Sequence, residues 1–138
     1  MISKWWKGIE KVEWYAAHVI VYTKFLDEVQ DKYPVWEKII LIASNSSDLA
    51  YQEAERIARN EYDTTRTFTW EGRPARWVFA GVRKLIECQQ TVIVAGDDDD
   101  TFQPGHGTEI TYSQMEVDSE ESLSKLIEGE PVTVLYEE

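Results

Sequence analysis

The chain predicts an α+β domain: a mostly antiparallel, bent sheet with one main helix packed on a face and a short C-terminal helix. Three observations carry this expectation. Two early runs are rich in β-branched and aromatic residues, and one later segment repeats alanine at helical spacing. The remaining apolar runs then follow one another with short turns between them.

The first strand reads from Trp14 to Thr23. It is apolar on both parities, with Trp14, Ala16, Ile20 and Tyr22 on one side and Tyr15, Ala17, Val19 and Val21 on the other. Such a run belongs in the centre of a sheet covered on both faces. Phe25 to Pro34 is charged and irregular, a loop. The second strand, Val35 to Ala43, has Ile39, Ile40, Leu41 and Ile42 at its centre. Asn45-Ser46-Ser47-Asp48 supplies N-cap chemistry for a helix, with Asp48 favouring the positive helix end. Ala50, Ala54, Ile57 and Ala58 give that helix an apolar stripe, while Gln52, Glu53, Glu55, Arg56 and Arg59 face water.

Thr64 to Trp70 forms a third strand, and Glu71-Gly72-Arg73-Pro74 turns it into a hairpin partner beginning at Ala75. The partner runs without a clear breaker to Val94, roughly 66 Å if straight, so it must bend or break. Gly81 and Gln89-Gln90 are the candidate interruptions. Ala95 to Gly107 reads as an exposed loop. Thr108 to Val117 is a further strand whose apolar parity changes, which predicts a bulge near Ser113. Asp118 with Glu121 fits a capping box before a short helix carrying Leu123, Leu126 and Ile127, stopped by Gly129. Val132 to Tyr136 is an edge strand or an arm.

Composition bounds the function. At 138 residues, 43% hydrophobic and 12% aromatic, the chain suits one folded domain. No apolar run approaches the ~18 residues that span a bilayer. Charges at Glu10, Lys11 and Glu13 argue against a signal peptide, so a cytoplasmic location is expected. Cys88 is the only cysteine, which excludes an intrachain disulfide, and its place in a strand predicts a small buried hydrophobe. The charge is unevenly spread. Residues 1–84 carry a net +1, whereas residues 85–138 hold one lysine and 14 carboxylates. That balance opposes binding to a phosphate backbone and attracts a basic partner.

Four segments stand out in order: Trp14-Tyr15-Ala16-Ala17, Ile40-Leu41-Ile42-Ala43 before the alanine-rich helix, Trp70-Glu71-Gly72 before Trp77-Val78-Phe79, and Gly107-Thr108-Glu109. Together they resemble a small bacterial family, domain-of-unknown-function family 4288. The resemblance covers residues 13 to 117 and implies an α+β fold in a bacterial intracellular setting. It implies no activity and supplies no catalytic residues. Residues 1–138 thus form one domain, with an arm at 1–12, the family-like core at 13–117 and an acidic extension at 118–138.

Four constellations bear chemistry. Asp97, Asp98, Asp99 and Asp100 concentrate negative charge, but consecutive carboxylates do not converge on one cation, and no metal or other cofactor is expected. Trp14 and His18, with the small Ala16-Ala17 pair between them and Tyr22 beyond, either line a groove or pack as core against the helix alanines. Arg73 or Arg76 would pair with Glu109 if the hairpin lies beside the strand from Thr108, as a cross-strand ion pair or a carboxylate-binding guanidinium. Trp5 and Trp6 either dock the arm on its own domain or anchor an interface with a partner or a second copy in a homodimer.

No phosphate loop, zinc-ligand spacing, nucleophile elbow or catalytic triad is present, so no catalytic residue is assigned. The expected function is a non-catalytic, acidic protein-binding module, in concrete form an immunity or antitoxin-like inhibitor of a basic partner. Its contact residues would be Trp5, Trp6 and Asp97 to Asp100. The alternative is a small-ligand-binding or metal-dependent enzyme domain with a groove near His18 and Tyr22, drawing on Trp14, Arg73, Arg76 and Glu109. A third reading is an acidic surface that mimics DNA.

Overall fold

A computed structural model describes residues 12–27, 29–89 and 104–137. The chain runs β1 (Glu13–Phe25), β2 (Tyr33–Ser44), α1 (Ser47–Tyr62), β3 (Thr67–Trp70), β4 (Arg73–Glu87), β5 (Glu109–Val117), α2 (Glu120–Glu128) and β6 (Leu135–Glu137). The six strands form one curled, half-barrel sheet in the order β3-β4-β1-β2-β5-β6. Every neighbouring pair is antiparallel. The α+β class predicted from the sequence is the class observed.

β1 is central, as its two apolar parities require. Tyr15, Ala17, Val19 and Val21 join Ile40, Ile42, Phe79 and Val82 under α1. The opposite parity sends Ile20 and Tyr22 into a second cluster with Val35, Met115 and Val117, closed by Leu123 and Leu126 of α2. The acidic C-terminal extension therefore packs on the sheet and caps one of its two cores. Ala50, Ala54 and Ala58 of α1 are fully buried, so the alanine stripe lets the helix approach the sheet closely. Ser46 caps α1 by accepting from the Leu49 N–H at 3.2 Å.

The β3–β4 hairpin turns on two residues, Glu71 at φ 49° and Gly72 at φ 81°. This is the primed turn whose twist suits paired strands, so the ladder resumes at Arg73, earlier than the sequence suggested. β3 is shorter than expected because the residues after Tyr62 must cross from the helix to the sheet. β4 bends as its length demands. Its register with β1 slips twice, opposite His18/Val19 and Ile20/Val21, on either side of Gly81. Ile127 of α2 rests on Gly81, where a Cβ would lie 2.8 Å from its Cγ2.

Three local expectations are corrected. The β5 bulge falls opposite Ile39/Ile40, near Ile110, and Ser113 pairs regularly with Glu37. The change of apolar parity along β5 instead marks two faces: Met115 and Val117 enter the core, while Ile110 and Tyr112 remain exposed on the other side. The α2 cap is Ser119, accepting from the Ser122 N–H, with Asp118 accepting from the Ser122 hydroxyl at 2.8 Å. Cys88 lies just past β4 and is only half-buried, its N–H donating to the Trp14 carbonyl at 2.7 Å. Gly129 ends α2 in the left-handed conformation, as predicted.

Candidate functional site

On the α1 face, β2 places a lysine inside the protein. Lys38 is 7% exposed, and its ammonium lies 4.9 Å from the Tyr62 ring centroid, 5.1 Å from Trp77 and 5.4 Å from Tyr112. Three ring faces from α1, β4 and β5 thus surround one cation. Glu109 completes the box. Its Oε1 accepts from Lys38 Nζ at 3.1 Å and from the Tyr62 hydroxyl at 2.6 Å. Burial, and then the bond to this carboxylate, push the Tyr62 phenol well above its ordinary pKa. The box ties the start of β5 to α1 and β2. Around it Trp36, Trp70, Trp77 and Phe68 pack ring against ring at 5.3–5.8 Å. The sequence signal missed here is a lone lysine inside the apolar Val35–Ala43 run.

On the opposite face, His18 Nδ1 lies 2.8 Å from Glu37 Oε2, and Arg83 Nη1 lies 3.5 Å from the same oxygen. Arg83 Nε donates to the Leu126 carbonyl at 3.0 Å, so the cluster also anchors α2. A cavity of about 320 Å³ adjoins it, bounded by Glu37, Arg83 and Leu126 and by Glu130, Val132 and Tyr136 of the C-terminal segment. His18 thus has a carboxylate partner that sequence spacing alone did not reveal. Tyr22 does not line this cavity. Its ring packs on Tyr33 at 5.6 Å, and burial raises its phenol pKa. Trp14 is half-buried opposite Ala43, and Ala16 and Ala17 point to opposite faces.

The expected pairing of Arg73 or Arg76 with Glu109 does not occur. β4 and β5 are separated by β1 and β2, because β4 takes the free edge of β1 and β5 that of β2. Arg73 instead clasps the β1–β2 loop. It donates to Asp27 at 2.7 and 2.9 Å, to Asp31 at 2.8 Å and to the Val29 carbonyl, and it stacks 3.6 Å from the Phe25 ring centroid. Arg76 lies 3.6 Å from Asp63 at the end of α1. Trp5, Trp6 and Asp97 to Asp100 lie outside the described residues. Among the described residues no group of three or more His, Cys, Asp or Glu side chains gathers to hold a metal ion.

The outer part of the sheet carries a third feature. Ile110, Tyr112, Leu135 and Tyr136 are 47%, 55%, 64% and 64% exposed. On the face that carries α2, across the sheet from Tyr112, a groove of about 680 Å³ separates the end of β5, α2 and the segment leading to β6, with Leu135 on its lining. Val117, Pro131, Val132 and Leu135 give it apolar walls, and Glu116 and Asp118 line it with carboxylates. Residues 104–137 hold eight carboxylates and one lysine, and that lysine, Lys125, is held 3.5 Å from Glu121. No described helix is long and apolar enough to cross a membrane.

No curated protein and no solved structure matches the chain. The family model described as a domain of unknown function, DUF4288, matches residues 14–98. The match takes in β1, β2, α1 and the β3–β4 hairpin and ends before Gly107-Thr108-Glu109, which the sequence resemblance had included. With more than half of its length matched, the chain belongs to the DUF4288 family.

Proposed function

We propose that the protein is a non-catalytic, acidic protein-binding module whose contact surface is the groove and exposed strand edge formed by β5, α2 and β6. One observation carries this reading: the large apolar side chains Leu135 and Tyr136 stand exposed among carboxylates beside the groove. Exposed aromatic and aliphatic anchors within a charged rim are the pattern of an interface. The charge selects the partner. A second copy would meet like charge, whereas a basic protein would be drawn in and held in register. An immunity or antitoxin-like inhibitor of a basic toxin is the concrete form.

Affinity purification of the tagged chain from its native cell, at low and at high salt, tests the reading. A stoichiometric basic protein retained at low salt and released at high salt is the expected result. An empty purification at low salt, or self-association of the chain into a dimer through this surface, would overturn it.

A second reading has its own observation, the cavity of about 320 Å³ bounded by Glu37 and Arg83, with His18 held against Glu37 behind it. Its size falls at the lower end of small-ligand sites, roughly 300–1,000 Å³. Under this reading a metabolite screen by thermal shift finds a stabilising compound whose effect is lost in Arg83→Ala.

A further inference from the structure

We infer that the cavity between the end of α1 and the β3 edge binds a planar aromatic monocarboxylate. This site is independent of the proposed protein-binding surface, since β3 and β6 are the opposite edges of the sheet. The cavity has a volume of about 440 Å³, which accommodates a ligand of one or two rings. Its apolar walls are Phe68 and Trp77, whose rings meet edge to face at 5.8 Å and 69°. A flat guest can stack on one ring and present its edge to the other, the two arrangements aromatic pairs prefer.

The polar lining sets the rest of the chemistry. Five of the six arginines reach a carboxylate: Arg56, Arg59, Arg73, Arg76 and Arg83. Arg66, an exposed residue on the lining of this cavity, has no ion pair or hydrogen bond among the described residues. Its planar fork matches a carboxylate with two parallel hydrogen bonds. The hydroxyls of Thr64 and Thr67 and the Asn60 amide add donors along the same wall. Glu61 stands on that lining too, and its charge disfavours a dianion such as a phosphate monoester while tolerating a single negative charge that Arg66 neutralises. Ring walls, one guanidinium unpaired among the described residues and one opposing carboxylate together select an aromatic acid with one carboxylate.

Trp77 makes the site readable, because the same ring forms the cavity wall and a side of the Lys38 box. The experiment is a titration of the isotope-labelled full chain with indole-3-acetate, followed by NMR at the assigned Trp77 indole N–H. Indole and inorganic phosphate serve as the neutral and the non-aromatic controls. The expected result is saturable movement of the Trp77 signal by indole-3-acetate, with indole at least about ten-fold weaker and phosphate without effect. Arg66→Ala, a substitution at an exposed side chain, should weaken indole-3-acetate by about ten-fold with the spectrum otherwise unchanged. No response to indole-3-acetate, equal binding of indole, equal movement by phosphate, or unaltered affinity in Arg66→Ala would each overturn the proposal.

Discussion

Gly81→Ala probes how the C-terminal extension is held on the sheet. The added Cβ would lie 2.8 Å from Ile127 Cγ2, about 0.7 Å inside ordinary carbon contact near 3.5 Å. That methyl branches directly from the Ile127 Cβ, so it swings clear only by leaving the one χ1 rotamer that a β-branched residue strongly prefers in a helix, or by a shift of α2. A shift of that size loosens Leu123 and Leu126, which close the second core cluster with Ile20, Val35 and Met115. Overpacking of this kind costs about 1–3 kcal/mol, and the Gly81 φ of 157°, which a residue with a side chain rarely adopts, adds a strain common to both backgrounds. At 2 kcal/mol, with an m-value near 2 kcal/mol/M, the urea midpoint falls by about 1 M. Ile127→Ala removes the opposing methyl, so the same alanine at position 81 should cost less in that background, with a coupling of about 1 kcal/mol or more. Urea unfolding of the four proteins measures the cycle. An unchanged midpoint in Gly81→Ala, or equal cost in both backgrounds, would refute the seating of α2 on Gly81.

Lys38→Met leaves Glu109 and the Tyr62 ring without their cation and should destabilise by about 1–3 kcal/mol, a range reduced for the partial exposure of Glu109. Adding Glu109→Gln should recover part of that loss in the same unfolding assay. Tyr62 has a folded pKa raised by burial, so its neutral form is favoured and the stability tied to it is complete below pH 10. That contribution is lost as pH rises from about 10 toward the higher folded value, and Tyr62→Phe should flatten this alkaline decline. Glu53 shows the opposite sign: Arg56 first, and then His106, hold its carboxyl down at about 2. Its contribution is present above the ordinary carboxylate range and is lost as pH falls toward about 2, so Glu53→Gln should flatten the acid limb in pH-dependent urea unfolding.

Much of the architecture is legible locally. Apolar residues on both parities of Trp14–Thr23 require cover on two faces, and the structure supplies α1 and α2. Ser46, Gly72, Gly81 and Gly129 mark a cap, a turn, a bend and a stop because each acts within a few residues of itself. The side-chain clusters are not legible in that way. Whether Arg73 meets Glu109 or Asp27 depends on which edge of β1 receives β4, a choice made by the whole sheet. His18 finds Glu37 only because the β1–β2 register sets Ile20 opposite Glu37. The Lys38 box needs one residue from each of β2, α1, β4 and β5 besides the Glu109 carboxylate, and no periodicity within one segment announces such a meeting. Lys38 is nevertheless visible as a charge where an apolar run predicts none.

The binding surface is tested most directly by comparing two baits in the same purification from native cells. One is the wild-type chain, and the other carries Glu116→Gln, Leu135→Ser and Tyr136→Ser. Leu135 and Tyr136 are 64% exposed and Glu116 lies on the groove, so the variant should retain the wild-type unfolding midpoint. A basic protein that is captured by the wild type at low salt and absent from the variant is the predicted result. Capture of the same protein by both baits in equal amount would contradict the assignment of this surface.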